Sequence, residues 1–260
     1  MPIAAELYYS FHEGGDRNRP PVVLIHGAGG QHLSWAPNLR RLPGYRVYAV
    51  DLSGHGRSGG PGRQSVASYA RQISLFLDSL GLYQAVFVGH SMGGAVALTL
   101  AHDQPGRVVG LGLISTGAVL PIPPNLLDDA GNATTLPRAI QSMRDGLFGV
   151  NDTSELGDAV IRQLKRVRPS VFHGDLTACS TFDLMAEVHT LDCPALILTG
   201  SKDRLTPPSL ANYLAAQMHS AQRQILPGAG HMLPLEAPLI LEQALLEWLG
   251  KLSYQAGAES

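Results

Sequence analysis

Short apolar runs alternate with amphipathic stretches along most of this chain, and glycine-rich turns stand between them. The run Val22–His26 is bounded by Pro21 and Gly27 and has almost no polar position, which predicts a strand covered on both faces. Arg46–Asp51, Ala85–Gly89, Val108–Ile114, Ala195–Gly200 and Arg223–Leu226 predict further strands. An earlier extended piece, Glu6–Glu13, alternates in character and ends in a turn through Gly14, Gly15 and Asp16. Between two of the strands, Val66, Tyr69, Ile73, Phe76, Leu77 and Leu80 recur at helical spacing. Ser65 can cap that helix and Gly81 can end it. Met92–His102, Pro208–Met218 and Leu239–Leu252 also read as helices. Strands alternating with helices predict an α/β fold with a mostly parallel sheet.

The alternation breaks between about 117 and 191. Pro121, Pro123 and Pro124 open this segment, no strand pattern appears in it, and helical patches fall at Leu136–Phe148, Ser154–Val167 and Pro169–Val188. The expected organisation is one α/β core formed by residues 1–117 and 191–260, with a helical insertion at 118–190.

One turn carries recognisable chemistry. Gly89-His90-Ser91-Met92-Gly93 fits G-x-S-x-G and lies between a predicted strand and a helix of small residues. A serine at such a sharp turn takes strained dihedrals, and its neighbours must be tiny for strand and helix to pack closely. The turn lifts the hydroxyl off the sheet and points a helix N-terminus at the reacting carbonyl. Serine needs a base at neutral pH. Of ten histidines, His231 in Gly228-Ala229-Gly230-His231-Met232 follows the last predicted strand and can reach over the strand ends. Asp203 follows the strand Ala195–Gly200 and is placed to orient that imidazole. Its rivals Asp183 and Asp192 precede the strand, at the wrong end of a parallel sheet. Two N–H donors are needed for the oxyanion. Met92 supplies one, and the loop His26-Gly27-Ala28-Gly29-Gly30 the other, at Ala28 or else at Gly29. His26 reads as a packing residue.

Composition narrows the field around this constellation. The formal net charge is −2, with 45% hydrophobic and 15% charged residues, so no footprint for nucleic acid or an anionic membrane appears. No segment reaches the length of a membrane span and the N-terminus lacks a leader pattern, so a cytoplasmic location is expected. Cys179 and Cys193 form no framework and read as free thiols, with a single bridge between them as the alternative the sequence leaves open. No Cys/His cluster has zinc spacing and no phosphate-binding glycine loop with Lys occurs, so no cofactor or metal is expected.

Five motifs stand in a telling order: His26-Gly27, the loop Asp51-Leu52-Ser53-Gly54-His55-Gly56-Arg57-Ser58, the turn Gly89–Gly94, Gly200-Ser201-Lys202-Asp203, and Gly230-His231. With them the chain resembles the α/β-hydrolase superfamily, whose triads run Ser, Asp, His along the chain. Within it, the chain is similar to the cap-bearing branch of carboxylesterases, enol-lactonases and meta-cleavage-product hydrolases. The resemblance implies an eight-stranded type of sheet flanked by helices, with the insertion as a cap over Ser91. It implies a triad of Ser91, Asp203 and His231 that hydrolyses a small to medium carboxylic ester through an acyl-enzyme. A lactonase, thioesterase or carbon–carbon hydrolase would use the same triad, and a non-catalytic ligand receptor is a more distant alternative. Dehalogenases and epoxide hydrolases carry Asp where Ser91 stands. Carbon–carbon hydrolases typically carry Pro in the loop that here reads Ala28-Gly29-Gly30-Gln31. In caps of this type, apolar side chains line the acyl pocket, which points to Leu120, Leu147, Phe148, Phe172, Leu176 and Met185, with Gly29 and Met232 on the core side. The cap's arginines, Arg138, Arg144, Arg162, Arg166 and Arg168, and Lys165 leave an anionic substrate group as an alternative to solvated helix faces.

Overall fold

The computed structural model describes residues 2–149 and 154–254. Residues 1, 150–153 and 255–260 of the expected core and insertion lie outside them.

The described chain runs β1 (Ile3–Ala4), β2 (Leu7–His12), β3 (Val22–Ile25), β4 (Val47–Val50), α1 (Val66–Ser79), β5 (Ala85–His90), α2 (Met92–Asp103) and β6 (Val108–Ile114). The helices α3 (Pro124–Ala130), α4 (Leu136–Leu147), α5 (Ser154–Leu164) and α6 (Pro169–Ser180) follow. The chain then continues through β7 (Ala195–Gly200), α7 (Pro208–Gln217), β8 (Ala221–Leu226), α8 (Leu233–Glu236) and α9 (Pro238–Leu249).

The strands form one eight-stranded sheet in the order β1-β2-β4-β3-β5-β6-β7-β8. β1 and β2 pair antiparallel, β2 is antiparallel to β4, and every later pairing is parallel. The central strands explain themselves by alternation. Val23 and Ile25 of β3 face one apolar layer with α1 and α2, whereas Val22 and Leu24 face another with Trp35 and α9. Both faces are covered, so neither position in the period-2 pattern can be polar.

Departures from the pattern have local causes. Ala5 (φ 45°) and Glu6 (φ 67°) form the tight turn of a short hairpin, so the first long strand starts at Leu7 rather than Glu6. β8 begins at Ala221, two residues before its apolar pattern, because it is an edge strand whose Gln222, Arg223 and Gln224 are exposed. Pro124 sits in the first turn of α3, so the proline-rich opening of the insertion nucleates a helix there. Ser65 Oγ accepts the Ser68 N–H at 3.2 Å and caps α1.

The α3–α6 helices have their own apolar cluster, including Leu136, Ile140, Leu164 and Phe172. That cluster extends to Met232 of the core, so the inserted helices sit over the loop after β8. Cys179 and Cys193 are both free. No helix among the described residues is long and apolar enough to cross a membrane.

Candidate active site

The carboxyl ends of the parallel strands face the inserted helices, as open α/β sheets present their ligand crevice. Each candidate residue follows one of these strand ends: Ala28 after β3, Ser91 after β5, Asp203 after β7 and His231 after β8.

Ser91 stands between β5 and α2 with φ 54° and ψ −120°, a left-handed conformation that costs a non-glycine residue energy. The strain is held in place from several sides. Ser91 N–H donates to Ile114 O at 2.9 Å, and Thr116 Oγ1 donates to Ser91 O at 2.8 Å. Glycine is required on both sides of the turn. A Cβ at Gly89 would lie 2.2 Å from Gly93 O, and one at Gly93 would lie 2.1 Å from Ile25 O. Met92 is fully buried and opens α2, so its N–H belongs to the first-turn donors that a helix leaves without an internal acceptor.

His231 is fixed through Nδ1. That nitrogen lies 3.1 and 3.0 Å from the two Asp203 carboxylate oxygens and 3.1 Å from Thr206 Oγ1. Thr206 Oγ1 donates to Asp203 Oδ2 at 2.8 Å, and the N–H groups of Leu205 and Thr206 donate to Oδ1. Nδ1 therefore carries the proton and donates it to this cluster, which leaves Nε2 as the basic nitrogen. Burial opposes ionisation of Asp203, but His231 and the Thr206 donors outweigh it and hold the carboxyl below the usual carboxylate range. Among the described residues no hydrogen bond yet joins Ser91 Oγ to the imidazole. Ser91 and His231 border the same cavity, and such bonds commonly tighten only when substrate is bound.

The His231 loop is held by groups that the sequence pattern did not flag. His90 Nε2–H donates to His231 O at 2.9 Å. Burial first, and then the neighbouring His231, push His90 down to about 3, so it is a neutral strut. Glu236 accepts the N–H groups of Gly149 and Gly230 at 2.9 Å and of Met232 at 3.0 Å. Leu147 O at the end of α4 accepts the N–H groups of His231 and Met232 at 2.9 and 3.0 Å. Thr206 had a legible signal, because a hydroxyl three residues after a strand-end Asp can close a turn on its carboxylate. Leu147 acts through its backbone and leaves no such trace.

The loop after β3 is equally constrained. His26 Nε2 accepts the Leu52 N–H at 3.0 Å, so its Nδ1 carries the proton and donates to Gly27 O at 2.8 Å. Burial, followed by the nearby His55, pushes His26 down to about 4. Gly29, with φ +65°, donates its N–H to Asp175 Oδ2 of α6 at 2.8 Å. That donor is engaged, so of the two loop positions expected to serve an oxyanion, Ala28 is the one not already committed to a carboxylate.

A cavity of about 340 Å³ opens between these loops and the inserted segment. Ala28, Gly29, Ser91, Leu120, Leu147, Leu176, His231 and Met232 all line it. Three residues expected to line it do not. Phe172 is fully buried beneath the β3 loop, where its ring would lie 3.0 Å from a Cβ at Gly29. Phe148 follows the last turn of α4 and lays its backbone against Gly230. Met185 lies beyond α6, 36% exposed, and its carbonyl accepts from Tyr213 Oη at 2.8 Å. The cavity instead takes Ile122, Leu126, Met143, Leu156, Val160 and Leu164 from the inserted segment, together with Gln31 and Gln163. No Asp, Glu, Lys or Arg lines it among the described residues. Arg138 and Arg144 pair with Asp129 and Asp158 outside it.

The chain matches the family model for the alpha/beta hydrolase fold over residues 20–238. It belongs to the α/β-hydrolase fold family. It is 29% identical over 256 residues to the protein named "Putative carbamate hydrolase RutD" of Caulobacter sp. (strain K31), covering 94% of this chain and 95% of that one. A hydrolase from Pseudomonas aeruginosa superposes with a TM-score of 0.84 at 27% identity, over 94% of each chain. A thermophilic esterase from Thermogutta terrifontis superposes with a TM-score of 0.82 at 26% identity, over 94% of this chain and 93% of that chain. No group of three or more His, Cys, Asp or Glu among the described residues is arranged to hold a metal ion.

Proposed function

We propose that this protein is a serine hydrolase that cleaves uncharged carboxylic esters of small to medium acyl groups by two-step acyl transfer. The observation that carries this is His231, held by Asp203 and Thr206 through Nδ1, on the wall of the apolar cavity that Ser91 also borders. His231 Nε2 takes the Ser91 proton as Oγ attacks the ester carbonyl. The N–H groups of Ala28 and Met92 hold the oxyanion, with the α2 N-terminus adding its partial positive charge. The protonated His231 then hands its proton to the leaving alcohol. Water repeats the sequence on the acyl-enzyme, releasing the acid and regenerating Ser91. Asp203 stabilises the imidazolium in both halves. The α3–α6 helices act as a cap that keeps bulk water from the acyl group.

The substrate class follows from the cavity. At about 340 Å³ it is at the lower end of ligand pockets, which span roughly 300–1,000 Å³. An ionised acyl group there would lose its hydration and meet no cationic side chain among the described lining residues. A free carbamate is such an anion, so the carbamate hydrolase relative is a weaker guide here than the esterase neighbours. The test is a panel of p-nitrophenyl esters of graded chain length, with lactone and thioester arms. Short and medium neutral esters should turn over, and Ser91→Ala should lower kcat/KM by roughly 10⁴-fold or more. Retained turnover in that variant would refute Ser91 as the nucleophile.

A further inference from the structure

Asp175 is a fully buried carboxylate on the cap helix α6, and its oxygens reach three elements of the core. Oδ2 accepts the Gly29 N–H at 2.8 Å and His55 Nε2–H at 2.7 Å, and Oδ1 accepts Tyr69 Oη–H at 2.6 Å. His55 Nδ1 lies 3.0 Å from Ser53 O. Both nitrogens of that ring face only acceptors, so both carry protons and His55 is an imidazolium. Burial works against that charge, but the Asp175 carboxylate overrides it and holds His55 above the ordinary histidine range. The His55 and Asp175 side chains are both 0% exposed.

The chemistry lies at the Gly29 bond. An N–H bound to a buried carboxylate fixes the peptide plane between Ala28 and Gly29, and with it the backbone torsion at Ala28. The other side of the loop is fixed at Gly27 O, which accepts from His26 Nδ1 and, at 3.0 Å, from Gly30 N–H. Ala28 lies between these two anchors. We propose that Asp175 is a positioning residue for acyl transfer: through the Gly29 N–H, the cap sets the aim of the Ala28 donor at the oxyanion. This rests on the Ser91 acyl-transfer reading above. A buried ion pair alone contributes little net stability against an apolar replacement. Three converging hydrogen bonds on one carboxylate, one of them from the oxyanion loop, give this pair a task beyond joining cap to core.

The test is Asp175→Asn, which keeps the shape but turns one carboxylate oxygen into an N–H donor facing other donors. Active sites are counted with a fluorophosphonate taken to its end point, and kcat is expressed per labelled site. The expected result is a kcat per site lowered roughly 10- to 100-fold, below the 10²–10³ of losing an oxyanion donor outright, with KM changed less than about threefold. Affinity for a trifluoromethyl ketone, which mimics the tetrahedral adduct, should fall by the same factor as kcat/KM. Asp175→Glu keeps the charge but displaces the oxygens by a methylene, and it should show the same loss should the Asn variant fail to fold. Tyr69→Phe leaves the Gly29 bond in place and should lower Tm while keeping kcat per site near the parent value. Full kcat per site in either Asp175 variant, with only Tm reduced, would overturn the proposal. A rise in KM alone would also overturn it, because Asp175 would then shape the cavity and not the donor. A parent protein that the phosphonate never labels would instead refute the reading of Ser91.

Discussion

Acid should unfold this protein through two of its struts. His26 and His90 are fully buried and pushed down to about 4 and about 3, so both stay neutral in the fold at pH 5. Released into the unfolded chain, each returns to the ordinary histidine value of 6.5 and takes up a proton. The unfolded state gains about 1.4 kcal/mol per pH unit over about 1.5 units, or about 2 kcal/mol for each histidine. His55 works the other way. Its folded value is raised, so its contribution is fully present below 6.5 and is lost as pH rises through the folded value. Going from pH 7 to pH 5 it therefore returns a part of that loss. Asp51 and Asp203 have lowered folded values, so their contributions persist at pH 5 and disappear only in stronger acid. The two histidines together cost about 4 kcal/mol between pH 7 and pH 5, and even with the part that His55 returns the stability should fall, against a typical total of about 5–15 kcal/mol. Urea titrations at the two pH values, followed through the buried Trp35 and Trp248, measure it directly. The midpoint should fall with an unchanged slope. Equal stability at the two pH values would mean that these rings already carry protons in the fold, contrary to the hydrogen bonds assigned to them.

Two further outcomes are expected. Thr206→Val removes a hydroxyl bonded to Asp203 and facing His231 Nδ1, and kcat should fall by roughly 10- to 100-fold, the worth of a hydrogen bond to a charged group. A kcat within twofold of the parent would show that Asp203 orients the ring unaided. Gly93→Ala places a methyl 2.1 Å from Ile25 O and 2.7 Å from His26 O, both backbone atoms, and should cost roughly 3 kcal/mol in urea unfolding. Gly106→Ala, where a Cβ meets nothing within 4 Å, is its neutral control.

The core was legible because its physics is local. Val22–Ile25, Ala85–His90 and Ala195–Gly200 are buried on both faces, and such strands are written mostly in apolar residues, with His90 and Thr199 the polar positions near their carboxyl ends. Ser91 announced itself through the glycines its strained turn demands. The inserted helices were harder, because apolar residues at helical spacing face either the cavity or the interior of the inserted helices themselves. Leu176 took the first course and Phe172 the second, and their spacing does not distinguish them. Asp175 was overlooked for a different reason. Asp175 stands beside His173 and Gly174 with nothing local to mark it as buried, and its partners Gly29, His55 and Tyr69 lie more than a hundred residues upstream. Glu236 has the same character, since among the described residues it accepts from backbone N–H groups brought together by folding.

The carbonyl of Leu147 has a consequence for anyone who rebuilds this enzyme by exchanging segments. It is a main-chain oxygen, so its two hydrogen bonds to the His231 loop depend on where α4 stops and not on which side chain stands there. A transplanted segment of matching residues but one turn longer would carry that oxygen away from the His231 loop. Chimeras made at this fold's natural seams should therefore succeed or fail on helix length before pocket chemistry has any influence.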